Sequence, residues 1–276
     1  MLLKQTLLLT LILLNSFTIS AQDISAIDAL YAKRGEDLKF AIEAAEQYSE
    51  LEKQTENKRL KSFLNSKVGL AWFFVGDRSE SKEEQLFYFE KSHQVGFEAI
   101  KNIVTDPDTI NKDELDEEEK DLLAEALYIY GIGLSKWAQT MHFTKIVKEW
   151  PKVRNSMEQI RKIDRSESNS YGALRTLGIA NTKMPSPLGS KKDAMFFLKT
   201  AFTKTLTRFN ISSHSYNNLA YAEILFHFKQ NQEACNILQI QANLTEEDIK
   251  ELDPTRIPET TKEVDLAYQM FIKENC

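Results

Sequence analysis

The chain has 276 residues, 35 Lys and Arg against 41 Asp and Glu, and a formal net charge of −6. An acidic chain with its two signs interspersed is a poor partner for nucleic acid or for an anionic membrane surface, so neither is expected. With only 9 Gly and 6 Pro and little β-branched alternation, helix is the default.

Residues 1–21 stand apart. Lys4 is followed by an apolar run from Leu7 to Leu14, broken only by Thr10, and then by small Ser20 and Ala21. This is the layout of a cleaved secretory signal. The alternative is a retained anchor, because Leu2 to Ile19 nearly reaches the length of a bilayer span; Thr10, Asn15 and Ser16 weaken it. No cysteine lies near the expected cleavage point to carry a lipid, so the expectation is an exported, periplasmic or secreted protein, soluble after cleavage. No later segment is long and apolar enough to cross a membrane. Residues 22–276 read as one α-helical, repeat-like domain large enough to bury a substantial core.

Helical periodicity predicts segments over 24–54, 58–75, 82–103, 112–142, 144–163, 168–183, 191–209, 213–230, 232–241 and 265–273, some of them double. Breakers fall between them at Gly76-Asp77, Asp106-Pro107, Trp150-Pro151, Pro185 to Gly189, and Asp253-Pro254 with Pro258. Pro185, Pro187 and Gly189 read as a structural turn. Ser81, followed three residues on by Glu84, has the spacing of a helix cap, and Ser190 opens another helix. Asp106 to Asp121 holds nine acids and opens like a calcium loop, with Asp106, Asp108 and Glu117 suitably spaced. Ile110 and Asn111 occupy the places of an oxygen ligand and the turning glycine, and Pro107 stiffens the start. The acids are read as a solvated loop favouring the next helix N-terminus, with no metal.

On the helix from Ala124 to Met141, Leu127, Tyr130, Leu134, Trp137 and Met141 share one face, while Ala124, Tyr128 and Ile132 extend the apolar surface round another. Such a helix must be enclosed by neighbours. Gly131 and Gly133 each cost roughly 1 kcal/mol of helix propensity against alanine, which implies close packing or space left for a ligand. Core packing is the simpler account of the aromatics. The sharper one is a cavity lined by Tyr128, Tyr130, Gly131 and Trp137, with Ser135 or Lys136 meeting the polar end of a ligand.

Tyr31-Ala32 precedes Ala44 and Tyr48 by the same offsets that separate Tyr221-Ala222 from Ala234 and Leu238. In tetratricopeptide hairpins such offsets place a small residue on each helix so that the backbones approach. The fold class expected is therefore all-α, a superhelix of stacked antiparallel hairpins with degenerate repeats. Cys235 and Cys276 have two readings: a bridge tying the tail to an earlier helix, or one buried and one frayed thiol. His93, His142, His214 and His227 form no zinc or catalytic spacing, and no phosphate loop or nucleophile elbow is present. With no nucleophile, base and orienter to nominate together, no catalytic residue and no cofactor are expected, and the chain reads as a non-enzyme.

YIYGIGLSKWA, YGALRTLGIANTKMPSPLG with its continuation SKKDAMFFLKTAF, and NNLAYAEILFHFKQNQEAC resemble the T component of TRAP-type transport systems, the TatT-like proteins. The resemblance runs from Ala29 to Phe271 in element order, with its distinctive words between Ala124 and Cys235; the family's apolar helix matches Tyr128 to Ala138 and its turn matches Pro185 to Gly189. It implies a helical periplasmic protein with cryptic tetratricopeptide-like hairpins and a pore or cavity. It also implies a homo-oligomer, trimeric in the known type, and a TRAP solute-binding protein as partner in handling a small hydrophobic ligand. The missing lipobox cysteine departs from that family and puts membrane tethering in doubt. The other reading is a general repeat scaffold whose concave face holds peptides or envelope proteins.

Overall fold

The computed structural model describes residues 21–276, so the segment read as a secretory signal lies, apart from Ala21, outside the described residues. The protein is all-α. Twelve helices follow one another among the described residues: α1 (Ala21–Ala32), α2 (Leu38–Lys53), α3 (Lys58–Arg78), α4 (Lys82–Ile103), α5 (Glu117–Met141), α6 (Phe143–Lys162), α7 (Ser168–Lys183), α8 (Lys191–Lys204), α9 (Ser215–His227), α10 (Asn231–Ala242), α11 (Glu246–Leu252) and α12 (Ile257–Lys273). None of these helices is long and apolar enough to cross a membrane.

Side-chain caps set most starts. Asp37, Asn57, Ser81, Asp116, Ser190 and Thr245 each accept a hydrogen bond from a backbone amide of the first turn they precede, satisfying donors that have no partner inside the helix. Asp116 and Thr245 complete reciprocal boxes with Glu119 and Asp248. The acidic run is accounted for here: Glu117, Glu118 and Glu119 form the first turn of α5, and Arg59 bonds Asp116, Glu118 and Glu119.

Several expected breaks fall elsewhere. Gly76 and Asp77 lie inside α3, which runs on to Arg78. Trp150-Pro151 is no turn: Pro151 sits in the middle of α6. Trp150, Val153 and Met157 bury the other side of that helix while Pro151 is exposed, so the hydrogen bond it removes is lost on the wet face. The break between α5 and α6 is the single extended residue His142, whose Nδ1 accepts from the Lys145 amide. α8 stops at Lys204, short of 209, because the Thr205 and Thr207 hydroxyls bond the Ala201 and Ile211 carbonyls and shape a loop. α11 is an element that periodicity does not predict, and the last helix begins at Ile257, eight residues ahead of the expected Asp265.

Consecutive helices pack on one another from α1 to α10 and at α11–α12, and a second set of contacts joins α3 to α5, α5 to α7, α7 to α9, α9 to α12 and α10 to α12. The apolar core divides into three clusters in chain order, on α1–α3, on α4–α7 and on α8–α12. α5 lies against α3, α4, α6 and α7 and buries Leu123, Ala124, Ala126, Leu127, Ile129, Leu134 and Ala138. Its glycines serve close packing: a Cβ on Gly133 would stand 2.9 Å from the His93 backbone nitrogen, and one on Gly96 of α4 would stand 2.7 Å from that of Tyr130. Gly131 is filled by Met157 and Ser156 of α6. The two sequence hairpins with matching offsets are not equivalent. Ala222, Ala234 and Leu238 are buried, as are Ala44 and Tyr48, but Ala32 is exposed at the end of α1. Cys235 of α10 and Cys276 are joined in a disulfide.

Gly96→Ala and Gly133→Ala should each destabilise the protein by about 1–3 kcal/mol, because an added methyl meets backbone that cannot yield, outweighing the roughly 1 kcal/mol gained in propensity. Gly131→Ala should cost less, since the Met157 methyl can swing aside. Urea unfolding midpoints of the three variants give the order.

Candidate functional site

The sequence-derived cavity residues of α5 reach three different neighbourhoods. Tyr130 and Trp137 point toward α4, where the His93 ring lies 5.3 Å from Trp137 and the Phe97 ring 5.5 Å from Tyr130, and the Lys145 ammonium caps Trp137 at 4.6 Å. Gly131 faces α6, and Ser135 accepts a hydrogen bond from Gln139 one turn on. Tyr128 alone points toward α7, where its hydroxyl accepts from Arg175 at 2.7 Å. The five do not surround one space. Pro185, Pro187 and Gly189 do form the α7–α8 connection, in which the Leu188 and Gly189 amides both donate to the Pro185 carbonyl.

Arg175 is the centre that Tyr128 leads to. Its guanidinium is buried and spends its donors on Tyr128 of α5, on the Asn217 side chain of α9 at 2.9 Å and on the Ser170 carbonyl at 3.3 Å. Asn217 in turn donates to Ser170 O, Ala201 O, Thr205 Oγ1 and Ser212 Oγ. The backbone is bent to suit: Asn169, Ser170 and Tyr171 have φ of 52°, 53° and 62°. A left-handed run of three non-glycine residues costs on the order of 1–3 kcal/mol per residue and persists only where its surroundings hold it. Here the Ser170 carbonyl is gripped by both Arg175 and Asn217, and the Asn169 amide donates to Glu125. Gly172 follows, because a Cβ there would strike the Tyr128 ring at 2.4 Å.

The amino-terminal part of α12 completes this interior. Arg256 donates to Glu263 at 3.1 Å, and burial pushes the Glu263 carboxyl up, against the pull of Arg256 and Arg175. His214 is buried before α9; burial, then the charges of Arg175 and Arg256, holds its imidazole well below the ordinary range. Arg34, from the turn after α1, makes a bidentate pair with Glu259 at 2.9 Å and 3.1 Å and also donates to the Thr255 carbonyl. Asp77 receives Lys136 of α5 at 3.3 Å and Lys262 of α12 at 2.7 Å. Burial opposes its ionisation, but the two ammonium groups outweigh it and keep the carboxyl below its usual value.

Next to this polar centre lies an apolar pocket of about 260 Å³ between α7, α9 and α12. It is lined by Ile179, Tyr216, Leu219, Ala220, Leu266 and Met270, with Glu223, Gln269 and Lys273 supplying its polar edge. A larger hollow of about 470 Å³ opens near Arg59 and Lys101, but it is polar, and Arg59 is already engaged by three carboxylates. Among the described residues no group of three or more His, Cys, Asp or Glu could hold a metal. Sequence reasoning passes over Arg175, Asn217 and Arg34. The signal for Arg175 is a single cation within the small and apolar residues of YGALRTLGIA. No protein-family model matches the chain, and no curated protein matches it.

Arg175→Ala should cost about 2–4 kcal/mol, because it leaves the Tyr128 and Asn217 oxygens without their donor and the Ser170 carbonyl with Asn217 alone; chemical denaturation measures this. His93, whose pKa burial pushes down to about 4, gives a pH signature. Between the ordinary imidazole value of about 6.5 and pH 4, the unfolded chain takes up a proton that the folded one refuses. Stability therefore falls as pH falls through that window, whereas the raised Glu263 and Glu125 carboxyls act in the opposite direction. His93→Gln should remove roughly 2 kcal/mol of the loss between pH 6.5 and 4, read as the difference between variant and parent in unfolding curves.

Proposed function

We propose that this is a non-catalytic, exported helical binding protein of the TatT-like kind, the T component of a TRAP-type transport system. In this reading the hairpins stack as a tetratricopeptide-like superhelix, a TRAP solute-binding protein is the partner, and the protein works as a homo-oligomer, trimeric by resemblance. The observation that carries it is the second ladder of contacts, α3 to α5 to α7 to α9, which gives alternate helices a common face. Where α12 meets the turn after α1 and the end of α3, the charged groups are engaged with one another, Arg34 with Glu259, Arg256 with Glu263 and Lys262 with Asp77, an arrangement suited to holding rather than to reacting. The pocket at Leu219, Leu266 and Met270 is the best seat for a small apolar ligand, since it is apolar at its walls and polar at its edge.

A general peptide-binding scaffold is the second reading. It is favoured by Arg34 and Arg78, which donate to the backbone carbonyls of Thr255 and Pro258, bonds that any peptide can receive.

Cross-linked pull-down from the native cell should recover an exported solute-binding protein; repeated recovery of none would count against the transport reading. Native mass spectrometry should find a lipid-like mass that Met270→Trp, which fills the pocket, abolishes and Trp137→Ala leaves in place. Loss of the mass on Trp137→Ala alone would return the ligand to the α4–α5–α6 aromatics.

A further inference from the structure

The apolar core of this protein is built from neighbours in the chain, yet one segment reaches across it. The stretch from Pro254 to Glu263 is held by Arg34, Asp77, Arg78 and Gln241, residues that precede it by as many as 225 positions. The seat is basic within an acidic chain: Arg34, Arg78 and Arg175 face it, with Asp77, already paired with Lys136, as the acid that bonds Lys262. The segment answers with Glu259, which pairs with Arg34, and one helical turn on with Glu263, whose carboxylate feels the charge of Arg175 and bonds Arg256 of the segment itself. Two of the grips, Arg34 to Thr255 O and Arg78 to Pro258 O, are made to backbone and read no side chain.

The fit is also incomplete. Arg256 Nη1, Thr260 Oγ1 and Glu263 Oε2 on the segment, and Arg78 Nε and Gln241 Oε1 on the seat, are buried without a hydrogen-bond partner in the protein. Burying polar atoms unmet is unfavourable, and a permanent core contact would not be expected to gather them in one place.

From this we infer that the seat is a docking face for an acidic helix of a partner protein, one that presents two carboxylates a turn apart, and that α12 is its resident occupant. The partner helix displaces the start of α12 and takes over the guanidinium bonds, while the Cys235–Cys276 bridge keeps the released segment attached to α10. The inference rests on the binding-protein reading above but names a surface that reading leaves open.

The test uses the full mature chain and a fluorescent peptide of residues 253–273, followed by anisotropy. The parent protein should bind it weakly, because its own segment fills the seat. Glu259→Ala/Glu263→Ala, which loosens the resident, should bind it at least about 10-fold more tightly, as the competent fraction rises. Adding Arg34→Ala, or replacing both peptide glutamates by glutamine, should reverse that gain. Equal affinity for parent and loosened protein, or for acidic and neutral peptides, overturns the proposal. Hydrogen exchange on the unmodified protein gives an independent reading if the variant does not fold. The amides of 257–264 should exchange faster than those of α5; exchange only with global unfolding overturns the proposal. A failed pull-down of a solute-binding protein would count against the transport reading without touching these results.

Discussion

Burying the Arg175 guanidinium is the constraint around which the middle of the molecule is arranged. A buried cation needs its donors met, and it meets them with one group from α5, one from α9 and the carbonyl of Ser170. Each acceptor fixes something larger. Tyr128 sets the rotation of α5, and its ring in turn demands glycine at 172. Asn217 ties α9 to the loop at Ser212. The Ser170 carbonyl is turned inward only by a left-handed run of backbone, a strain that the Arg175 and Asn217 side chains offset.

The division of labour between apolar and polar contacts follows from the order of packing. Three apolar clusters, each made by helices close in sequence, stabilise the stack locally and say little about how its two ends should meet. The ends are brought together by directional groups: Arg34 on Glu259, Arg78 on Pro258 and Lys262 on Asp77. Ion pairs of this kind add modestly to stability because desolvation offsets much of their attraction. Their geometric demand is strict, so they select one closure from many that the apolar stack would tolerate.

What could be read from the chain was what is encoded locally. Ser81, Ser190 and the acids before α5 are caps whose partners lie three residues away, and the all-α class follows from periodicity. Pro151 was misleading because its cost depends on whether it faces water, a tertiary fact. Ala32 matched the repeat offsets but lies at a helix end, where no neighbour covers it. Tyr128, Tyr130 and Trp137 were recognisable as important, but one helix turn separates directions that lead to Arg175 or to His93. α11 could have been found from Thr245 and Asp248, since a reciprocal cap needs only their spacing. The Arg34 and Arg175 networks join residues 42 to 225 positions apart, and no single sequence announces such pairings.

The pairing of Arg34 with Glu259 also bears on time. A chain whose apolar contacts are sequential can begin to organise from its amino terminus as it emerges, hairpin by hairpin. Here Glu259, which pairs with the turn after α1, is made 225 positions after Arg34, and loop closure over that span is slow compared with forming a neighbouring contact. The Arg34 guanidinium is therefore left without its carboxylate until the start of α12 has been made.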